Sequence, residues 1–264
     1  MSAYSTVVHT NKVEMENRVC SQQPTAIRAR QRVATKLMDR FIKLGVDSLE
    51  DYEIIELLFS LVLPNREYKK QARKCVRKFG SLREIVDASP EELQQVGITP
   101  SAICCIRLAS EIPVKVLKQK ITGRPVYQSS QEVFDYLYYS MRGLKNEVFK
   151  VIHLNSQNQI NEILDLVKGT PSNIYVSPRE IVESAIRYSA VSMIFVHNHP
   201  SGDPTPSKND KQLTRDLVFI AGLLQIKVLD HIIIGDNIHF SFHGEGLIEK
   251  YEDSFLSLRM KTGI

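Results

Sequence analysis

Two histidines two positions apart, His197 and His199, stand at the end of the short apolar run SMIFVH, and an acid follows them at Asp210. Side chains alternate across a strand, so residues i and i+2 share a face, and two imidazoles placed there can share one metal ion. The next stretch, NHPSGDPTP, is dense in proline and glycine, which stiffen the chain and turn it sharply. Ser207 and Asp210 then open a helix, and a carboxylate in a first helical turn can swing back over the strand end as an oxygen ligand. Two nitrogens, one carboxylate and an open fourth position describe a catalytic zinc site rather than a closed structural one. Plainer roles exist for the same residues. Strand histidines are commonly satisfied by hydrogen bonds, and Ser207-Lys208-Asn209-Asp210 has the form of an N-capping box with its acid at the positive helix end.

The elements that must hold these residues are legible on either side. VFDYLYYSM reads as a helix, and EVFKVIHLN and INEILDLV as strands joined by the polar turn SQNQ. Ser177-Pro178-Arg179-Glu180 has the form of a capped start for the helix REIVESAIRYS. SMIFVH is a short strand, and SKNDKQLTRDLVFIAGLL a long amphipathic helix. IKVLDHIIIG is a buried strand, with NIHFSF as its hairpin partner across Gly235-Asp236-Asn237. Strands alternating with helices predict an α/β layer architecture with a mixed sheet over residues 126–264.

Upstream the pattern is helical. RARQRVATKLMDRFIKLG ends at Gly45, SLEDYEIIELLFSLVL opens with Ser48 and Asp51 at capping-box spacing, and EYKKQARKCVRKFG ends at Gly80. SLREIVDA is a short helix. SPEELQQV has Ser89 as its cap, Pro90 at the first helical position and Glu92 at the third. The turn GITP leads into SAICCIRLASEIPVKVLKQ. This predicts a small all-helical domain over 26–122, after a tail at 1–25 without hydrophobic periodicity and before a linker at Gly123-Arg124-Pro125.

Four fixed positions in residues 197–210 match His-x-His-x7-Ser-x2-Asp, with Pro200 to Pro206 as the seven between. This pattern resembles the JAMM (MPN+) metalloprotease motif. With SPREIVESAI upstream and LDHIIIGD downstream, the sequence is similar to the RadC-like family across most of residues 126–250. The resemblance implies a three-layer, cytidine-deaminase-like JAMM domain holding one zinc ion per chain. The implied activity is that of a metallopeptidase-type hydrolase, cutting an amide or isopeptide bond in a protein or peptide substrate. It also implies a glutamate upstream that hydrogen-bonds the zinc-bound water and moves its proton. The start of the first strand gives Glu147 that role, with Glu162 on the following strand as its rival. Ser207 would stabilise the oxyanion formed at the substrate carbonyl. Asn198, Ser201 and Asp203 are read as loop-shaping, with a bond from this loop to a ligand histidine left open. His153, His231, His239 and His243 lack ligand spacing and are read as structural.

EELQQVGITPSAICCIRLASEI resembles a helix-hairpin-helix, a module whose turn amides meet DNA phosphates without reading sequence. Gly97 and Thr99 would make that contact, although Thr99 stands where such turns carry a second glycine. RadC-like proteins generally have such a region and an association with DNA repair. The second functional reading is therefore a DNA-binding accessory protein with an idle or structural zinc site. A structural or protein-binding role for the hairpin stays equally open.

Composition bounds these readings. The chain of 264 residues is 43% hydrophobic and 24% charged, a globular profile with ample core material. It shows no apolar stretch of about 18 residues and no signal peptide, so neither a membrane nor export is expected. Cys20, Cys75, Cys104 and Cys105 form no CxxC pair, which fits a reduced, cytoplasmic chain and argues against a cysteine-built zinc site. Residues 1–125 hold 21 Lys/Arg against 14 Asp/Glu, and the remainder 13 against 16. The basic half could face a polyanion or be an ordinary surface. The absence of HExxH excludes a thermolysin-like zincin, and the absence of His-x-Glu with Pro-Cys-x-x-Cys excludes a nucleic-acid deaminase. The letters HNH at 197–199 are a tripeptide and make no HNH nuclease.

Overall fold

The computed structural model describes residues 36–63, 67–168 and 176–262. The expected tail and the start of the first helix lie outside them. The chain divides into two units, one ending at Ala109 and the other beginning at Ser110. Among the described residues, no helix is long and apolar enough to cross a membrane.

The first unit is helical. Residues 36–44 form α1, followed by α2 (Asp51–Ser60), α3 (Glu67–Phe79), α4 (Leu82–Asp87), α5 (Pro90–Gln95) and the start of α6 (Pro100–Ile121). Its core gathers Ile55, Phe59, Ala72, Cys75, Ile85, Leu93 and Ile106. At α5 the expected cap is present: the Ser89 hydroxyl accepts from the Glu92 amide, and the Glu92 carboxylate accepts from the Ser89 amide. At α2 the cap sits two residues later than the spacing predicts. Glu50 is the capping residue, boxed with Glu53, while the Ser48 hydroxyl donates to the Gly45 carbonyl inside a 3₁₀ turn over Val46–Ser48.

The second unit is a sheet between helices. It contains α7 (Ser130–Met141), β1 (Val148–Leu154), β2 (Ile160–Lys168), α8 (Pro178–Arg187) and β3 (Ser192–Asn198). Then come α9 (Lys208–Leu223), β4 (Lys227–Ile234), β5 (His239–Ser241) and α10 (Leu247–Thr262). The strand order is β2-β1-β3-β4-β5, with β3 and β4 parallel and the other pairs antiparallel, so the sheet is mixed as predicted. Alternation sends successive side chains to opposite faces. Phe149, Val151, Met193 and Phe195 pack with Ile181 of α8, Leu217 and Val218 of α9 and Ile248 of α10. Val148, Ile152, Ile194 and Val196 face the other way, onto Leu137 and Met141 of α7 and Ile121 of α6. Both faces are covered, which explains why β1 and β3 are buried along their whole length. Truncating a fully buried ring such as Phe195 to alanine would cost about 3–5 kcal/mol.

Three further details depart from the sequence reading. Ser177 occupies the cap position of α8, but its side chain makes no capping bond. The Gly123-Arg124-Pro125 segment pairs with the chain around the β1–β2 turn: the Gly123 amide donates to the Ile160 carbonyl at 2.9 Å, and Pro125 bridges Gln159. Helix α10 falls where the sequence reading assigns no element, although Ile248, Tyr251 and Phe255 lie at helical spacing and pack inward.

Candidate metal centre

His197 is the next-to-last residue of β3 and shares the sheet face of Phe195. The pairing of β3 with β4 continues one step past it, because the His199 amide donates to the Ile234 carbonyl at 3.0 Å. That bond anchors His199 at the strand end, with its Nε2 3.1 Å from that of His197. The loop then folds back. Gly202, at φ +82°, donates its amide to the His199 carbonyl, and its own carbonyl accepts from the Asp236 amide at 2.8 Å. A β-carbon on Gly235 would stand 2.4 Å from the Gly202 carbonyl oxygen, so only glycine permits this approach. The loop delivers Ser207 to the cap of α9. Its hydroxyl accepts from the Asp210 amide at 3.1 Å, and the Asp210 carboxylate accepts from the Ser207 amide at 2.7 Å.

The cap orients the Asp210 carboxylate over the strand end. Its Oδ1 lies 3.4 Å from His197 Nε2 and its Oδ2 lies 3.5 Å from His199 Nε2, while the two Nε2 atoms are 3.1 Å apart. Among the described residues, these three form the group whose atoms could hold a metal ion. His199 Nδ1 is 2.7 Å from the Asp203 carbonyl oxygen. A carbonyl only accepts, so Nδ1 carries a proton, and in the neutral ring Nε2 offers a lone pair. This is the bond from loop to histidine that the sequence reading left open, and it runs through the Asp203 backbone. Burial pushes the His197 imidazole pKa down, whereas the Asp210 contact raises that of His199. Burial would raise Asp210, but the two imidazoles and Ser207 hold it well below the usual carboxylate range.

A cleft of about 610 Å³ opens over this group. Glu147, Ser207, Ser201 and Asn209 line its polar side, and Val176, Pro178, Leu213, Leu217 and Ile220 its apolar side. Glu147 immediately precedes β1 and is half-buried there. Burial pushes its carboxyl pKa up, His199 lowers it and Asp210 raises it. Glu162 stands elsewhere, on β2 opposite His153, with its carboxylate 2.6 Å from Lys118 Nζ. Asn198 is a buried strand residue and not part of the loop as read. Its Oδ1 accepts from the Val148 amide at 2.8 Å and its Nδ2 donates to the Asn146 carbonyl, which ties the segment bearing Glu147 to the end of β3.

The remaining histidines differ among themselves. His153 is buried and bonded to Ser184, His239 packs against Phe134, and His243 pairs with Glu249 on the surface. His231 lies fully buried on β4 with its Nε2 2.8 Å from His197 Nδ1. Sequence spacing gave no hint of that contact, because it depends on the register of two parallel strands 34 residues apart.

In the first unit, Gly97 and Thr99 occupy the turn between α5 and α6. Gly97 has φ +80°, and its amide donates to the Gln94 carbonyl, while the Ile98 amide donates to that of Leu93. This pair of bonds is a Schellman helix end. Both the amide and the hydroxyl of Thr99 lie within hydrogen-bond reach of Gln71 Oε1, at 3.0 and 3.2 Å. The three successive amides thus have partners within the unit.

Comparison with known proteins covers most of the chain. The sequence pattern of the RadC-like JAB domain matches residues 127–247. A UPF0758 protein of Rhodobacter capsulatus is 33% identical over 213 residues, covering 80% of this chain and all of that protein. One from Trichlorobacter lovleyi is 34% identical over 80% of this chain and 93% of its own length. One from Pseudoalteromonas translucida is 34% identical over 86% of this chain and its own full length. With a mixed sheet, a His-His-Asp group at the end of its central strand and this extent of likeness, the chain belongs to the RadC-like JAB-domain family.

Proposed function

We propose that this chain is a zinc-dependent hydrolase that cleaves an amide or isopeptide bond in a protein or peptide. The observation that carries the reading is the convergence of three acceptors. The Nε2 lone pair of His199 faces Nε2 of His197 at 3.1 Å, with a carboxylate beside both. Such groups repel unless a proton or a metal cation lies among them. Tetrahedral zinc with ligands at about 2.0–2.1 Å has ligand–ligand edges of about 3.3–3.4 Å. The separations of 3.1 Å between the two nitrogens, and of 3.4 and 3.5 Å from each nitrogen to its nearer carboxylate oxygen, are of that order.

His197, His199 and Asp210 would hold the ion. Bound there, zinc supplies Lewis acidity, which activates water near neutral pH and polarises a substrate carbonyl. Glu147 accepts a proton from the attacking water and returns it to the leaving amine, a role suited to a carboxyl whose pKa is raised by burial. The Ser207 oxygen is held by the Asp210 amide, so its O–H can donate to the oxyanion. The apolar wall formed by Leu213, Leu217 and Ile220 offers a place for a substrate side chain next to the reacting bond.

The test is a peptide-library digest with the zinc-loaded full chain, with new N-termini read by mass spectrometry. Cleavage should fall by about 10³-fold or more in Glu147→Gln, which keeps its metal, and should persist in Glu162→Gln. Undiminished cleavage by Glu147→Gln would remove that residue from the reaction. No cleavage by the zinc-loaded wild type across amide and isopeptide libraries would remove the proposed activity.

A further inference from the structure

We propose that His231 and Thr214 are positioning residues for this centre: together they fix His197 as the Nδ1–H tautomer, with its Nε2 lone pair turned towards His199 and Asp210. The inference rests on reading His197 as a ligand, and it follows from a chain of hydrogen bonds whose direction can be deduced from one end. Thr214, fully buried on α9, has its Oγ1 2.6 Å from the Asp210 carbonyl oxygen and 2.6 Å from His231 Nδ1. The carbonyl can only accept, so the single hydroxyl proton of Thr214 goes to it. Thr214 Oγ1 must then accept from His231, which places the proton of His231 on Nδ1 and leaves its Nε2 an acceptor. His231 Nε2 lies 2.8 Å from His197 Nδ1, so His197 in turn donates from Nδ1. No other assignment satisfies all three contacts with neutral imidazoles.

The result is a one-way relay from the first histidine to the backbone of the acid. It begins on one ligand, His197, and ends on the carbonyl of another, Asp210, so it orients the ring and ties it to the first turn of α9. The surroundings keep water out. The His231 ring stacks on Phe242 at 5.0 Å and meets Phe149 and Phe195 edge-on at 5.7 and 6.2 Å. Hydrogen bonds in such apolar surroundings are stronger, and losing one partner strands the others. Partners that orient a ligand histidine in this way commonly change metal affinity by about 10–100-fold.

Two measurements on the full chain test the relay. Two-bond proton–nitrogen correlation spectra of the metal-free, ¹⁵N-labelled protein should show the proton on Nδ1 of both His197 and His231. Zinc affinity, read by competition with a chromophoric chelator, should fall about 10–100-fold in Thr214→Val and His231→Leu. Thr214→Ser, which keeps the hydroxyl, should stay close to wild type. His231→Gln, whose amide can both accept and donate, should recover part of the loss. A proton on Nε2 of His197 or His231 overturns the proposal, as does unchanged affinity in folded Thr214→Val. Nδ1–H tautomers in a wild type that takes up no zinc would support the relay and overturn the metal reading instead.

Discussion

At the scale of residues, Asp210 serves the fold and the site with one carboxylate. It accepts the Ser207 amide as half of a capping box, and it faces both imidazoles at 3.4 and 3.5 Å. The two tasks can be separated by chemistry. An amide at this position still accepts the Ser207 N–H but carries no charge to offer a metal. Asp210→Asn should therefore cost at most about 1 kcal/mol of stability in denaturant titrations. Its zinc affinity should nevertheless drop by about tenfold or more, because a neutral oxygen is a poorer ligand. Equal losses of stability and affinity would mean that the site collapses with the cap rather than through the ligand. Full zinc affinity in the variant would remove Asp210 from the ligand set.

At the scale of elements, the centre depends on how closely the loop after β3 docks against the turn between β4 and β5. The Gly202 carbonyl accepts the Asp236 amide, and a β-carbon on Gly235 would stand 2.4 Å from that carbonyl oxygen and 2.8 Å from Pro204 Cδ. Backbone has little room to yield, so Gly235→Ala should push the loop outward and carry Ser207 and Asp210 with it. We expect a loss of about 1–3 kcal/mol from the overpacking and a fall in zinc affinity of about tenfold or more. Far-UV circular dichroism should be unchanged, since no helix or strand is interrupted. Unaltered zinc affinity in the variant would show that the loop's docking does not set the ligand geometry. Asn198 does the corresponding work at the other side of the cleft, where it fastens the entry to β1 and with it the segment carrying Glu147.

At the scale of the whole molecule, what was legible in the sequence was what is local in it. His197, His199, Ser207 and Asp210 fall within 14 residues, and strand alternation plus a helix cap bring them together without help from distant chain. The mixed sheet was readable because turns and apolar runs mark β1 to β5 one after another. Glu147 was reached only through resemblance, since nothing local says that a strand-entry acid will stand over a site 50 residues away. His231 and Thr214 were not legible, because their contacts require the parallel register of β3 on β4 and the crossing of α9 over that face. In the helical unit, the turn bearing Gly97 and Thr99 was found where expected. Its amide partners, above all Gln71 on α3, could not be seen in the spacing. That turn is built as a helix end closed on itself.

The His-His-Asp group is proposed to hold one metal ion. The most direct test is metal content by inductively coupled plasma mass spectrometry on full-length protein purified without a histidine tag, comparing wild type with His199→Ala. We expect about one zinc per wild-type chain and essentially none in the variant, with both proteins folded. Wild-type protein that stays metal-free after reconstitution with its fold intact would contradict it, and so would zinc retained undiminished by His199→Ala.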